Sequence, residues 1–357
     1  METDVLITGG GPAGLAAAFE AGSRGCSVTI VDSAWCLGGQ MHHQTQVIDS
    51  MPPPYTGLRG FEIAERLEER LRSFSVDYFL KHEVAGLFAD GTIGISDGNV
   101  IKKIKAKSII AATGAAEMAL PFPGWTLPGV ITAGAAQQLI NRERVCPGRK
   151  CIIVGTFDIG LDVAIQLKAI GVEVLCVVEA GETIAADEKK HLAFRENGIS
   201  VLFNTEVAEA SGRGKVQEVL LRSGKTTTKH EVDFICTAGG FQPVIDIFSA
   251  FRCGISYRRE LGGRLPQYDR IFQTSMEGLF AAGQAAGITC HGGIYLTGAL
   301  AGISAAARSK GASPDSEDSA QKYWRELEQI EASLMPAVWS CRQEHINAGI
   351  TTGADKC

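Results

Sequence analysis

The chain has 357 residues, of which 45% are hydrophobic and 21% are charged, a composition that allows two globular domains with substantial cores. Its 34 basic and 40 acidic residues give a net charge of -6 without a basic block, so we expect no nucleic-acid partner. Glycines and a proline interrupt the apolar start, Val5 to Ala18, which argues against a membrane span or a signal peptide there and leads us to expect a cytoplasmic protein.

Two βαβ patterns follow one another along the chain. The elements predicted first are, in chain order, a strand over Asp4–Thr8, a glycine turn, a helix over Ala13–Arg24, a strand over Ser27–Val31, a helix over about Gly60–Phe74, strands around Val84–Ile95 and Val100–Ile104, and a closing segment, Ser108–Gly114. From Arg149 the pattern restarts with a strand over Cys151–Val154, a glycine turn, a helix over Leu161–Ile170, and strands over Glu173–Val178, Ser200–Phe203, Val216–Leu221 and Val232–Cys236. The repetition indicates an internal duplication.

The end of the chain returns to the first domain. Gly278–Gly283 and a helix from about Gly298 carry this return. We predict an α/β fold with two Rossmann-like dinucleotide-binding domains, one discontinuous (residues 1–118 and 248–314) and one inserted (residues 119–247). Residues 315–357 are predicted as a C-terminal helix and a tail.

That last helix carries one apolar stripe. The stripe consists of Tyr323, Leu327, Ile330 and Leu334, at spacings of four, three and four. We expect the helix to dock on its own domain. A subunit interface is the alternative, supported by the apolar tail residues between Pro336 and Trp339.

The ten cysteines are scattered along a long chain, so most are predicted to be reduced thiols. No CxxC occurs, which removes the usual dithiol redox centre. In the closest pair, Cys146 precedes an apolar strand and Cys151 lies at its start. We interpret the first as a loop residue and the second as a core residue. No Ser-His-Asp signature or cluster of metal ligands supports a hydrolase or a metalloenzyme.

The first glycine turn has the spacing of a dinucleotide site. Gly9, Gly11 and Gly14 form GxGxxG between a strand and a helix, and Asp32 ends the next strand 18 residues later. The first glycine allows a tight turn, the second lets the backbone approach a pyrophosphate, and the third lets helix and strand pack closely. The helix start, with Pro12 and Ala13, offers amide groups to the phosphates, and Asp32 would accept hydrogen bonds from the adenosine ribose. A turn that binds nothing is the disfavoured alternative.

Later motifs carry a family resemblance. Gly38–Gln40, Ala111–Gly114 and Gly278–Gly283, together with the opening turn, resemble the FAD-binding signatures of the pyridine nucleotide-disulfide oxidoreductase superfamily, and the chain is similar to thioredoxin-reductase-type flavoproteins to about residue 310. The resemblance implies an FAD site made of Gly9, Gly11, Pro12, Ala13, Gly14, Asp32, Gly39, Gln40, Thr113, Gly114, Gly283 and Gln284. At Gln284 the family usually has an acidic residue, and a neutral amide still forms hydrogen bonds although the anchor is altered.

A narrower resemblance involves four segments. They are Ala112–Ala115, Leu120–Trp125, Leu127–Val130 and Thr132–Gln137, which are similar to the α subunits of amine dehydrogenase complexes such as opine oxidase, proline and hydroxyproline dehydrogenases and hydrogen cyanide synthase. This implies an electron-transferring subunit that works with a [2Fe-2S] protein and a second flavoprotein subunit on an amine or amino-acid substrate. Only Cys341 and Cys357 lie beyond Gly311, too few for a cluster, so we expect the [2Fe-2S] centre in another polypeptide.

The second glycine turn departs from the dinucleotide pattern. Gly155, Phe157 and Gly160 take the three glycine positions, and the Phe157 ring would obstruct a pyrophosphate. Asp158 adds negative charge at the helix start. Glu179, 19 residues after Gly160, still matches a ribose-binding acid and favours NAD over NADP. We expect a relic fold without normal NAD(H) binding, and occupation by NAD(H) or another adenine nucleotide is the alternative.

Candidate chemistry beside the flavin is limited to two residues. Cys290 and His291 follow the last FAD motif, and the resemblance brings them near the flavin pyrimidine, where a proton donor would stabilise reduced flavin. We favour the interpretation that His291 is a loop histidine with satisfied hydrogen bonds and that Cys290 is a buried thiol. His42 and His43 are likewise interpreted as polar loop residues. The catalytic residues are therefore left unassigned.

Three functions remain open from the sequence. The leading hypothesis is an FAD-dependent oxidoreductase, the α subunit of an amino-acid or opine-type dehydrogenase complex. The second is a free-standing NAD(P)H-dependent flavin reductase of thioredoxin-reductase type without a redox dithiol. The third is a nucleotide-stabilised scaffold subunit without catalysis.

Overall fold

The computed structural model describes residues 1–186 and 188–349. The chain divides into two compact units. Unit 1 consists of Met1–Ala116 and the chain from Gln242 onward, and unit 2 consists of Glu117–Phe241. Each unit contains a parallel sheet with helices, which confirms the predicted α/β class with one discontinuous and one inserted domain.

The first segment of unit 1 contains the opening βαβ motif. Its elements are β1 (Glu2–Thr8), α1 (Pro12–Ser23), β2 (Val28–Asp32), β3 (Val47–Ile48), β4 (Leu58–Arg59), α2 (Gly60–Glu69), β5 (Val76–Leu80), β6 (Glu83–Leu87), β7 (Ile93–Ser96), β8 (Ile101–Ala111) and β9 (Ala115–Glu117). The predicted helix over Gly60–Phe74 ends in a 3-10 turn at Arg70–Ser73. Its apolar face is buried, with Ile63, Leu67 and Leu71 at most 2% exposed.

Unit 2 repeats the motif. Its elements are β10 (Val130–Thr132), α3 (Ala133–Asn141), β11 (Lys150–Val154), α4 (Asp158–Ala169), β12 (Glu173–Val178), α5 (Glu188–Arg195), β13 (Val201–Leu202), β14 (Thr205–Ser211), β15 (Glu218–Ser223), β16 (Thr226–Glu231) and β17 (Phe234–Thr237). The parallel sheet has the order β10-β17-β11-β12-β13, and β14, β15 and β16 form an antiparallel sheet.

The last segment completes unit 1. Its elements are β18 (Phe241–Pro243), α6 (Asp246–Ala250), β19 (Ile255–Arg258), β20 (Gly263–Pro266), β21 (Leu279–Ala281), α7 (His291–Lys310), α8 (Pro314–Leu334) and α9 (Pro336–Asn347). Strand β21 joins β8 and extends the parallel sheet to the order β5-β2-β1-β8-β21. The first half of β8 pairs with β7 in an antiparallel arrangement instead.

Three predicted boundaries were wrong. Val100–Ile104 and the start of Ser108–Gly114 belong to one strand, β8, whose exposed lysines at one end made it look discontinuous. Helix α7 begins at His291 rather than near Gly298, because Gly292 and Gly293 pack against Ser50 and Thr289 where no larger residue fits. The predicted tail contains a further helix, α9, which begins at Pro336. Proline is compatible with this position because it is tolerated in the first turn of a helix.

Candidate functional site

The first glycine turn joins β1 to α1 at the carboxyl end of the unit 1 sheet. Gly9 has φ +102°, and its amide donates to the Val31 carbonyl at 2.8 Å. A Cβ on Gly9 would overlap the Ala112 carbonyl oxygen, and a Cβ on Gly14 would overlap the Gly9 carbonyl oxygen. Both glycines are therefore required by the packing of strand, turn and helix.

Gly11 differs from its neighbours because nothing in the protein crowds it. A Cβ there would approach no atom closer than 3.9 Å, the distance to the Gly39 Cα. Gly11 is the N-cap of α1, with φ -74° and no side-chain cap, and the first turn contains no acidic residue. Because Pro12 has no N–H, the amides of Ala13 and Gly14 are left at this end without intrahelical acceptors. An anionic group fits this open, positively polarised helix end.

Asp32 lies at the end of β2, beside the same turn. Its Oδ2 accepts the Gly10 amide at 2.5 Å and its Oδ1 accepts the Ala34 amide at 2.7 Å. Each carboxylate oxygen keeps a further acceptor position. The carboxylate is thus held rigidly and is able to accept hydroxyl donors, as a ribose contact requires.

The second predicted motif reaches the turn as well. The Gly38 amide donates to the Gly10 carbonyl at 2.7 Å, and a Cβ on Gly39 would lie 3.0 Å from the Gly11 Cα. Gly39 begins a 3-10 helix, Gly39–His43, in which the Gln40 side chain is exposed. The structure therefore brings Gly39 next to Gly11, and Gln40 follows it at the surface.

The third motif follows β8. Thr113 Oγ1 donates to the Val244 carbonyl at 3.0 Å, and the Gly114 carbonyl accepts the Val244 amide at 3.1 Å. Gly114 has φ +75°, and a Cβ there would meet open space. Both residues are half-buried at the carboxyl end of the sheet.

The fourth motif lies against the first turn of α1. The Gly283 amide donates to Thr297 Oγ1 at 3.0 Å, and a Cβ on Gly283 would lie 2.7 Å from the Ala13 Cβ. Gly283 starts a 3-10 helix, Gly283–Ala286, in which Gln284 is half-buried. The start of α1 is therefore surrounded by residues of several motifs that contact one another directly or through one neighbour: Gly9, Gly11, Ala13, Gly39 and Gly283.

Cys290 and His291 are placed at the start of α7 rather than in a loop before it. Cys290 is the N-cap, and burial raises the pKa of its thiol above the ordinary value. His291 Nε2 lies 2.8 Å from Gln44 Oε1. The thiol is therefore protonated at neutral pH, which is unfavourable for a nucleophile.

The glycine turn of unit 2 has the same backbone geometry as that of unit 1. Gly155 has φ +99°, its amide donates to the Val178 carbonyl at 2.8 Å, and a Cβ on it would overlap the Ala238 carbonyl oxygen. A Cβ on Gly160 would lie 2.8 Å from the Gly155 carbonyl oxygen. The correspondence with Gly9 and Gly14 supports the internal duplication.

The two acidic residues have different environments. Glu179 follows β12 directly, whereas Asp32 ends β2. Thr156 Oγ1 donates to Glu179 Oε2, and Glu179 Oε1 accepts the Gly181 amide at 2.9 Å. Thr156 is fully buried. Its hydroxyl takes the place that the Gly10 amide has in unit 1, so Glu179 is held by one side chain and one backbone amide, whereas Asp32 is held by two backbone amides.

Phe157 occupies the N-cap position of α4, which corresponds to Gly11. Its ring lies 3.2 to 3.4 Å from where a Cβ on Gly240 would be, and its side chain is 43% exposed. Asp158 is the first residue of the helix. A bulky ring and a carboxylate therefore stand where α1 offers open space and free amides.

Sequence reasoning missed the helix contact behind the first site. Gly298 and Gly302 of α7 face Ala13 and Ala17 of α1, and a Cβ on Gly298 would overlap the Ala13 carbonyl oxygen. Both pairs have a spacing of four residues, so they lie on one face of each helix. That spacing of small residues was the signal available in the sequence.

Residues 1–186 and 188–349 contain neither a candidate metal-binding cluster nor a candidate membrane span. In this part of the chain no group of three His, Cys, Asp or Glu side chains is suited to holding a metal ion. No helix there is long and apolar enough to cross a membrane. The nine cysteines that are described are all free thiols, and Cys357 lies outside the described residues.

Residues 3–309 match the family described as pyridine nucleotide-disulphide oxidoreductase. Among curated relatives, the A chain of opine oxidase from Rhizobium meliloti (strain 1021) is 26% identical over 84% of this chain and 70% of its own length. The alpha chain of sarcosine oxidase from the same organism is 30% identical over 68% of this chain but only 25% of its own length. The HcnB subunit of hydrogen cyanide synthase from Pseudomonas aeruginosa is 32% identical over 60% of this chain and 50% of its own length. This chain therefore spans half or less of the length of the last two relatives.

Solved structures share the fold. L-proline dehydrogenase from P. horikoshii matches 91% of this chain and 59% of its own, with a TM-score of 0.70 and 23% identity. Thioredoxin reductase from T. acidophilum matches 86% of this chain and 99% of its own, with a TM-score of 0.70 and 21% identity. The family match covers most of the chain. The chain therefore belongs to the pyridine nucleotide-disulphide oxidoreductase family and is an FAD-dependent oxidoreductase.

Proposed function

We propose that this chain is the FAD-binding, electron-transferring subunit of a dehydrogenase complex that oxidises an amine or amino acid. The observation that carries the proposal is the contrast between the two glycine turns. Unit 1 has an open helix start at Gly11, whereas unit 2 has the Phe157 ring at the corresponding place. One dinucleotide site therefore remains available for the flavin, and the usual entry for NAD(P)H is obstructed.

In this proposal the residues of unit 1 hold and orient FAD. The amides of Ala13 and Gly14 would bind the pyrophosphate, since they lie at the positive end of α1. Asp32, fixed by two backbone amides, would accept the ribose hydroxyls. The remaining cofactor contacts would come from the neighbouring residues Gly39, Gln40, Thr113, Gly114, Gly283 and Gln284.

The flavin supplies the hydride and electron chemistry when bound, and the protein tunes it. Cys290 would be a neutral neighbour at the start of α7, because burial raises the pKa of its thiol and keeps its proton in place. No protein nucleophile is needed for this reaction. The role left to the chain is to bind FAD in unit 1 and pass reducing equivalents to or from a partner.

The names of the relatives support a partner. The matched chains of opine oxidase, sarcosine oxidase and hydrogen cyanide synthase are each named as one subunit of their enzyme. By analogy we propose a separate [2Fe-2S] protein and a second flavoprotein subunit as the partners. The thiols that are described are free, which favours a cytoplasmic location as part of the same proposal.

The test is the anaerobic reduction of the reconstituted flavoprotein. We expect a flavin spectrum that neither NADH nor NADPH bleaches, while a co-purified partner with its amine substrate reduces the flavin. Rapid bleaching by NADH alone would instead support the free-standing reductase. Two observations favour this alternative, namely the intact backbone of the Gly155 turn and the presence of Glu179. Full complex activity with a chain that binds no flavin would support the scaffold function.

A further inference from the structure

A buried ion pair connects the last two helices. Arg342 of α9 and Glu331 of α8 are both fully buried. The Arg342 Nη2 lies 2.8 Å from Glu331 Oε1, and its Nε lies 2.9 Å from Glu331 Oε2. Both residues lie beyond residues 3–309, the part of the chain that matches the family.

Each partner of this pair also holds the segment that follows Gly283. Arg342 Nη1 donates to the Ala286 carbonyl at 2.9 Å, and Thr289 Oγ1 donates to Glu331 Oε1 at 2.6 Å. Arg342 Nη1 also donates to the Tyr268 hydroxyl at 2.8 Å, and that hydroxyl donates to the Ala286 carbonyl at 2.7 Å. The pair thus fixes the segment at two points.

The fixed segment, Gly283–Thr289, contains candidate cofactor contacts and adjoins a residue expected beside the flavin. It begins with the 3-10 helix that contains Gly283 and Gln284, and Cys290, the N-cap of α7, follows it directly. The first turn of α7 lies against the same carboxylate, since a Cβ on Gly293 would be 3.0 Å from Glu331 Oε1. A shift of the ion pair would therefore move both ends of the segment.

Stability alone is a weak reason for such a pair. Burying two charges costs solvation energy, and replacing a buried ion pair by apolar residues of similar volume is often neutral or stabilising. A buried pair in which each partner also forms a hydrogen bond to the same segment instead restricts the conformations of that segment.

We propose that Arg342 and Glu331 are positioning residues for FAD, because they hold Gly283–Thr289 in the conformation that contacts the cofactor. The proposal rests on FAD binding in unit 1, as proposed above. The C-terminal helices α8 and α9 thereby become part of the support of the cofactor site rather than an appendage to it.

The test is the double variant Glu331→Leu/Arg342→Met, which removes both charges together. We expect the free energy of unfolding of the apoprotein to stay near that of the wild type. We also expect the FAD dissociation constant to rise about tenfold, and the visible circular dichroism of the bound flavin to change, because the segment loses contacts at two points. Fluorescence titration with FAD and urea unfolding measure the two quantities separately.

Two further variants sharpen the result. Tyr323→Phe is the matched control, because Tyr323 docks α8 on α1 through a 2.7 Å bond to Glu20 Oε1 and does not hydrogen-bond to the segment. We expect it to leave FAD affinity and the flavin signal unchanged. Thr289→Val removes the hydroxyl bond to Glu331 but keeps both charges of the ion pair. We expect it to weaken FAD binding, and it tests the proposal also in the case that the double variant does not fold.

The outcomes separate the two proposals. A wild-type protein that binds no FAD overturns the function proposed above. A wild-type protein that binds FAD, with unchanged affinity and flavin dichroism in Thr289→Val and in a folded double variant, overturns the positioning role alone. An equal loss of affinity in Tyr323→Phe also overturns it, because any loosening of α8 would then suffice.

Discussion

The substitution Gly11→Ala is expected to lower the affinity for FAD without changing the stability of the apoprotein. The backbone of Gly11, with φ -74° and ψ -175°, is accessible to alanine, and the new Cβ would lie 3.9 Å from the nearest protein atom. Alanine is a poorer N-cap than glycine, but it also lowers the entropy of the unfolded chain, so the two effects of about 0.5–1 kcal/mol largely cancel. We therefore expect the apoprotein to unfold at nearly the same urea concentration as the wild type.

The same methyl group would occupy the space in which the backbone approaches a pyrophosphate. We expect the FAD dissociation constant to rise at least about tenfold, or about 1.4 kcal/mol, in a fluorescence titration. Gly9→Ala is the contrasting variant, because its clash with the Ala112 carbonyl should destabilise the apoprotein itself. Gly181→Ala, with its Cβ 3.4 Å from the nearest side-chain atom, is the control in unit 2. Wild-type FAD affinity in Gly11→Ala would refute the assignment of this turn.

Three other substitutions test single contacts. Asp32→Asn places an amide donor against one of the two backbone amides that donate to the carboxylate. It should therefore destabilise the apoprotein by about 1–3 kcal/mol and weaken FAD binding. An unchanged urea unfolding curve would contradict this. Phe157→Gly should create measurable NADH binding by removing the ring that lies over Gly240, and a fluorescence titration without any gain would show that the ring is not the obstacle. Burial raises the pKa of Cys151 to about 12, so the unfolded chain loses this proton first, and the contribution of this thiol to the free energy of unfolding should fall by about 1.4 kcal/mol per pH unit as pH rises above about 9. In Cys151→Ala, the free energy of unfolding measured with urea should fall less steeply across the same pH range.

Sequence reasoning recovered the parts of the fold that depend on local patterns. The two glycine turns, with their flanking strands and helices, were predictable because Gly9 and Gly155 need positive φ and a close approach to backbone. The repeat at Arg149 indicated the duplicated architecture. The fold class follows from these local signals alone.

The remaining features depend on contacts between distant parts of the chain. The start of α7 was misplaced because Gly292 and Gly293 have low helix propensity, and only packing against Ser50 and Thr289 explains them. The Glu331–Arg342 pair was not anticipated, because a charged residue on a helix is normally exposed. Leu334, assigned to the apolar stripe, is in fact 48% exposed.

The most direct measurement is an absorption spectrum of the purified protein after reconstitution with FAD, followed by anaerobic addition of NADH and then NADPH. An FAD-binding subunit with an obstructed second site should show a flavin band that neither nucleotide bleaches. Bleaching by either nucleotide would contradict the interpretation of Phe157, and the absence of any flavin band would contradict the proposed site in unit 1.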